Sequence, residues 1–388
     1  MEEVIVLYPS PGRGHILAMV ELGKLLVKHH PSFSITILIL DTQSRPNAST
    51  SQYAASSTAE YVASVNATTP SITFHHLPPI SDVPSTSLAA YESGFLLPRL
   101  NNPNLHQALQ TISQTSKLKA FIIDFFCDAS FEVAANLSIP TYYFFTSSAS
   151  SLTAFLYLPT LHKNLDKSFK DLNDDVLLDI PGLPSISASV MPKNMSDRTT
   201  KVYEYFLNTA THMAKSNGLI VNSFDLLERK AIGAISDGLC VPDGPTPPIF
   251  CIGPLISNNS QDGENQHECL NWLNLQPSQS VVFLSFGSMG LFSAEQLHEI
   301  AVGLENSGQR FLWVEWKVAL AVNESEDGLV SAAEMEKRVR ELMDSEAGKE
   351  VRQNVSVMRD AAVAALEEGG SARVAFAKLA ELWGTTSR

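Results

Sequence analysis

Apolar positions in the first 240 residues cluster in short runs, and between the runs the spacing turns helical. Val4-Ile5-Val6-Leu7-Tyr8 predicts a short buried strand. A Pro/Gly turn from Pro9 to Gly14 follows, after which Ile16, Met19, Val20, Gly23 and Val27 share one helical face. Phe33 to Leu40, rich in β-branched residues, predicts a second strand. Strand, turn, helix and strand at this spacing make a βαβ unit, which implies a parallel, doubly wound sheet. Residues 42–70 are dominated by Ser, Thr, Ala and Asn and predict only a loop or a weak helix. Further strands are expected at Ile72 to Phe74, Lys119 to Asp124, Thr141 to Phe145 and Gly218 to Asn222. A helix from Asp225 to Ile232 should follow the last of these.

The proline-rich stretch from Pro242 to Pro254 and the polar run from Ser257 to Glu264 read as an interdomain linker. The expected organisation is therefore a first domain over 1–241, a linker over 242–279 and a second domain over 280–388. Val281 to Phe286 predicts a strand, Gly287 to Gly290 a turn, and Ser293 with Gln296 a capping box opening a helix. Gln309 to Val314 predicts the next strand. From there the pattern changes. Ser331 with Glu334 predicts another capping box, Met335, Val339 and Leu342 form a stripe, and Glu334–Arg338 and Glu336–Arg340 are spaced to pair. Gly369-Gly370 separates this region from a last helix reaching Trp383. Charged residues make up 24 of the 74 positions from Glu315 onward against 44 of the 314 before it, so composition breaks where the strands stop. Two or three strands cannot build a parallel sheet covered on both faces, so the second domain is expected to be truncated.

Composition narrows the class. With 44% hydrophobic and 18% charged residues the chain can bury large cores. A formal net charge of -14 argues against nucleic acid and against an anionic membrane surface. No run approaches the ~20 apolar residues of a membrane-spanning helix, and the N-terminus lacks a signal-peptide pattern. Cys127, Cys240, Cys251 and Cys269 show neither C-x-x-C nor metal-ligand spacing, as expected of reduced thiols in a cytoplasmic protein. The histidines contain no H-E-x-x-H, and no metal is expected.

Candidate chemistry gathers at the ends of strands. His15, in Pro11-Gly12-Arg13-Gly14-His15, stands where the first strand turns into its helix. The positive end of the helix dipole disfavours imidazolium there, and a neutral imidazole is what a general base requires. Asp124 ends Ala120-Phe121-Ile122-Ile123 and is placed to orient that imidazole and stabilise its cation. Asp128, four residues on, is a rival, read more readily as a solvated or capping acid. Gly12-x-Gly14 with Asp41 matches a dinucleotide fingerprint only weakly, since Leu17 occupies the third glycine position. The chain has no P-loop and no G-x-S-x-G elbow.

Several stretches together carry a family resemblance: Val6 to His15, Phe121-Ile122-Ile123-Asp124, Pro140 to Phe144, Asn217 to Phe224, Pro242 to Pro248 and Phe286 to Gly290. The chain resembles the plant family 1 UDP-glycosyltransferases, above all the group acting on flavonoids, chalcones and related phenols. The resemblance implies an α/β fold of two facing Rossmann-like domains (GT-B type), the C-terminal one truncated here. It implies an inverting, metal-independent transfer from a UDP-sugar co-substrate to a small phenolic acceptor, with no further cofactor. His15 is then the general base and Asp124 its support. Thr146, Gly287 and Ser288 match donor-binding positions, and Gly14, Phe125, Phe126, Tyr142 and Tyr143 would line the acceptor pocket. The family's donor segment begins Trp-Ala-Pro-Gln and contains His-Cys-Gly-Trp-Asn-Ser. No such run occurs here. Likeness resumes at Glu315 directly after Val314, as though about a hundred residues were absent. The expected consequence is very low or lost transfer. The alternatives are a non-catalytic small-molecule-binding or dimerising homologue, and a poorly packed product with exposed apolar surface.

Overall fold

The computed structural model describes residues 1–40, 51–80, 90–256, 268–284, 292–313 and 329–384. They form two compact units, Met1–Ser257 with Ala361–Arg388, and Asn258–Asp360. Gly287, Ser288, Asp41 and the Val314–Glu315 junction lie outside the described residues.

The first unit opens with strand β1 (Glu3–Tyr8), helix α1 (Arg13–His29), β2 (Phe33–Ile39), α2 (Ser51–Thr68) and β3 (Ile72–His76). It continues through α3 (Ala90–Leu100), α4 (Asn102–Thr115), β4 (Lys117–Asp124), α5 (Ser130–Asn136), β5 (Thr141–Phe145) and α6 (Ala149–Asn164). A small hairpin of β6 (Leu177–Leu178) and β7 (Ile186–Ser187) precedes α7 (Lys201–Lys215), β8 (Gly218–Val221), α8 (Arg229–Ser236) and β9 (Ile249–Cys251). Seven strands make one sheet in the order β3-β2-β1-β4-β5-β8-β9, and every pairing in it is parallel. Leu7 on β1 aligns with Ile37 on one side and Ile122 on the other.

Alternation along these strands sends side chains into two separate cores. Val4, Val6, Phe121, Ile123 and Tyr143 pack on one face. Ile5, Leu7, Ile35, Ile37, Ile122 and Tyr142 pack on the other. Both faces are covered, which is why these strands read as continuous apolar runs. The chain leaves β1 toward β2 on one side, while β4 pairs on its other side. The carboxyl ends of β1 and β4 are thus a topological switch point, where doubly wound sheets open a ligand crevice.

The second unit holds α9 (Glu268–Asn274), β10 (Val281–Leu284), α10 (Ala294–Ser307), β11 (Arg310–Trp313), α11 (Ala332–Asp344) and most of α12 (Glu346–Leu366). Among the described residues its sheet has two parallel strands, β10 and β11. Val282, Leu284, Ile300, Leu304, Met335 and Val339 form its core. Phe283, pointing to the opposite face of β10, is 48% exposed.

The observed division differs from the sequence reading at both ends of the second domain. Part of the expected linker, Ile249–Cys251, is β9 and completes the first sheet through Leu219↔Ile249 and Val221↔Cys251. The last helix, α13 (Ser371–Gly384), belongs to the first unit. Its stripe of Phe376, Leu379 and Trp383 joins the core formed with Phe33, Tyr142 and Phe250. The sequence placed a helix after Gly369-Gly370 reaching Trp383, but only packing says which sheet it covers. Residues 51–68 are a regular helix despite their weak pattern. The helix expected from Asp225 starts four residues later, because Leu227 N–H bonds back to Phe224 C=O in a turn. Ser293 caps α10 as expected, but Gln296 does not close the box. Its amide grips the Val330 backbone instead, accepting from N–H and donating to C=O, both at 2.8 Å.

Candidate active site

Gly12, with extended backbone, is the N-cap of α1, and Ile16 N–H closes the first helical turn on Gly12 C=O. This sharp entry places His15 in the first turn above the carboxyl end of β1. A Cβ on Gly12 would stand 3.0 Å from His15 Cδ2, so a glycine there keeps the imidazole from being pushed aside. Gly14 is exposed, and a Cβ on it would meet nothing within 4 Å.

Asp124 ends β4 and is fully buried. One carboxylate oxygen accepts from His15 Nδ1 at 2.8 Å, and the other accepts from the backbone N–H of Phe126 at 3.1 Å. The second bond caps a 3-10 turn over Phe125–Cys127, so a strand end and a turn hold the carboxylate from two sides. With Nδ1 as donor to Asp124, Nε2 carries the lone pair. Burial pulls the His15 pKa down, but the charge and hydrogen bond of Asp124 outweigh it, and the net direction is up from 6.5. This reverses the sequence-level expectation from the helix dipole. A full carboxylate charge in contact exceeds the partial charge of a helix end.

The remaining candidates separate. Phe126 stands edge-on to His15, with ring centroids 5.6 Å apart at 83°. Phe125 is buried behind it, 4.8 Å from Phe155 and 5.8 Å from Phe206. Thr146 is half-buried just beyond the end of β5. Tyr142 and Tyr143, expected in the acceptor pocket, are core residues on opposite sides of β5. Tyr142 packs against Trp383 at 5.6 Å, and the fully buried Tyr143 donates its hydroxyl to Asp128 at 2.7 Å. Neighbouring strand positions point to opposite faces, so the pair cannot line one pocket. Asp128 is neither solvated nor a partner of His15. It is buried and also pairs with His212 Nδ1 at 3.0 Å, while His212 Nε2 reaches Glu132 at 3.2 Å.

Residues that the sequence did not single out complete the surroundings. Phe95 on α3 lies 4.9 Å from Phe126 and 5.3 Å from Phe206 on α7. Phe126 and Phe206 lie 31 and 111 residues beyond Phe95, and nothing local in the sequence brings the three rings together. Glu228 accepts from the N–H groups of Ala149 and Ser150 at 2.8 Å, capping α6 just after Thr146. The described residues hold no group of three or more metal-ligating side chains, and no helix among them is long and apolar enough to cross a membrane.

No protein-family model matches the chain. Anthocyanidin 5,3-O-glucosyltransferase of a Rosa hybrid cultivar is 44% identical over 474 residues, covering 98% of this chain and 99% of the relative. Isoflavone 7-O-glucosyltransferase 1 of Glycine max is 40% identical over 479 residues, covering 99% of each. A solved structure of Phytolacca americana UGT2, complexed with UDP-2fluoro-glucose and pterostilbene, superposes with a TM-score of 0.84. It is 27% identical and covers 99% of this chain and 100% of that one. The alignment with the rose relative exceeds this chain's 388 residues, leaving at least 86 of its 474 positions without a counterpart here.

Proposed function

We propose, since the chain belongs to the plant family 1 UDP-glycosyltransferases, that it keeps the phenol-binding and proton-accepting half of a UDP-sugar-dependent O-glucosyl transfer. The observation that carries this reading is the His15–Asp124 pair at the switch point of a seven-stranded parallel sheet.

The chemistry assigned to the pair is general-base catalysis. A phenol hydroxyl donates its proton to His15 Nε2. The oxygen's electron pair attacks the anomeric carbon of the sugar from the face opposite UDP. The bond from that carbon to the phosphate oxygen breaks, its electron pair leaves on UDP, and configuration inverts. Asp124 fixes the tautomer through Nδ1 and stabilises the imidazolium that forms. The acceptor side is assigned to Gly14, whose exposed backbone admits close approach, and to Phe126 with Phe125 behind it. Thr146 is assigned to the sugar. The rose and soybean relatives, named for anthocyanidin and isoflavone glucosylation, support a planar polyphenol as acceptor. Four free thiols, three of them buried, support a reducing cytoplasmic setting.

Turnover by this chain is expected to be very low. The absent alignment positions and the two described strands of the second unit support loss of the donor site. A base without a held leaving group forgoes the positioning and charge stabilisation that provide most of the rate. The test is calorimetry with UDP-glucose and with pterostilbene on the purified chain, alongside a glucosylation assay. Pterostilbene binding with neither UDP-glucose binding nor product is the expected result. Micromolar UDP-glucose binding with product formation would show that a donor site survives and overturn the claim of loss.

A further inference from the structure

The turn that follows Asp124 has a second carboxylate at its other end. Asp124 caps the start of Phe125–Cys127, and Asp128 stands at its close. Phe131 N–H bonds to Asp128 C=O at 2.9 Å and the Ser130 hydroxyl donates to Cys127 C=O, so the turn runs on into α5 as one hydrogen-bonded piece. Pairing with Phe144 fixes the Asp124 backbone, but the direction of its carboxylate depends on the Phe126 N–H inside the turn.

The Asp128 side chain is held from outside this segment. One of its oxygens accepts from the Tyr143 hydroxyl on β5 at 2.7 Å and from His212 Nδ1 on α7 at 3.0 Å. His212 Nε2 stands 3.2 Å from Glu132 on α5, and Phe131 stacks on the ring at 5.0 Å and 19°. A neutral imidazole donates from one nitrogen only, so a carboxylate at each nitrogen calls for the imidazolium. The charged groups facing it are Asp128, Glu132 and, on its own helix, Lys215. Burial pulls the His212 pKa down and the two carboxylates outweigh it, giving a net direction up from 6.5.

We propose that His212 is a positioning residue for the catalytic pair: its bond to Asp128 anchors the turn whose Phe126 N–H aims the Asp124 carboxylate at His15. The inference rests on the general-base reading of His15 and adds the group that keeps its support in place. His212 touches no substrate in this account and acts through Asp128 and the turn.

The test is NMR titration of His15 in the full chain, its signal assigned by loss in His15→Ala. His212→Leu removes both ring donors, whereas His212→Asn places an amide donor where Nδ1 stood. His212→Leu should move the His15 titration down toward 6.5, and His212→Asn should leave it at the wild-type position. Direct electrostatics gives the opposite sign, because losing a nearby cation raises a neighbouring pKa, and does so equally in both variants. Tyr143→Phe removes the other donor to the same oxygen without changing charge and should also lower the titration. A His15 unmoved or raised in His212→Leu, an equal fall in His212→Asn, or a lower Tm with His15 unmoved would each overturn the proposal. Should His212→Leu fail to fold, Tyr143→Phe decides alone, and an unmoved His15 there would overturn it. A wild-type His15 that titrates at or below 6.5 would overturn the reading of the pair and this inference with it, whereas a raised wild type with an indifferent His212→Leu would overturn this inference alone.

Discussion

A single carboxylate decides how the candidate base behaves. Burial alone would lower the His15 pKa, yet the pKa is raised from 6.5 because Asp124 sits 2.8 Å from Nδ1. Asp124→Asn keeps the shape and removes the charge. Its His15 should titrate below 6.5 by NMR, where the wild type titrates above it. A variant that still titrated above 6.5 would require another cause. The sign for stability follows from linkage. A pKa raised on folding contributes stability that is fully present below 6.5 and is lost as pH rises through the folded value. For any base-dependent step the order is reversed, because Nε2 accepts a proton only above the raised pKa. The residue types and strand-end positions of this pair were legible in the sequence. Their pairing across 109 residues followed from the shared sheet edge and the family resemblance, whereas the direction of the shift did not.

Elements show the same split between local and distant causes. Ser331 caps α11, and Arg338 and Arg340 pair with Glu334 and Glu336 at 2.8 and 2.9 Å, as spacing alone indicates. Helix α6 is different. Its own Ser148 accepts from Ser151 N–H at 3.0 Å, but the first N–H groups, of Ala149 and Ser150, go to Glu228 from a loop 79 residues on. Burial pushes the Glu228 pKa up, and the hydrogen bonds from Ser223, Ser150 and Ala149 more than reverse this, so the net direction is below 4.5. Glu228→Ala should lower stability by about 1 kcal/mol, measured by urea unfolding at pH 7. A pKa lowered on folding contributes stability present above 4.5 and lost as pH falls through the folded value, so the difference between wild type and variant should shrink in acid. A gap that persisted unchanged at the lowest pH would assign the effect to packing.

For the whole molecule, the contrast between the units carries the functional conclusion. The first has seven parallel strands covered on both faces, whereas the second shows two among its described residues and leaves Phe283 of β10 48% exposed. Inserting the corresponding residues of the rose relative between Val314 and Glu315 should give UDP-glucose binding by calorimetry and product in a glucosylation assay. His15→Ala in that background should abolish product but keep UDP-glucose binding. Binding without product in the parent insertion would place the lesion outside the donor segment.

The sequence by itself determined the doubly wound class, most strands, the capping serines and the residue types of the base and its acid. Each of these is written in neighbours a few positions apart, through alternation, helical spacing and turn chemistry. It also led to the expectation of a short second domain, because strand count and composition are local quantities. Tertiary structure alone decided that Ile249–Cys251 is a seventh strand and that α13 covers the first sheet. It alone sent Tyr142 and Tyr143 into opposite cores and closed Gly94 and Phe95 around Phe126. These outcomes depend on which distant surfaces meet, and an apolar stripe or a phenylalanine records only that it will be buried.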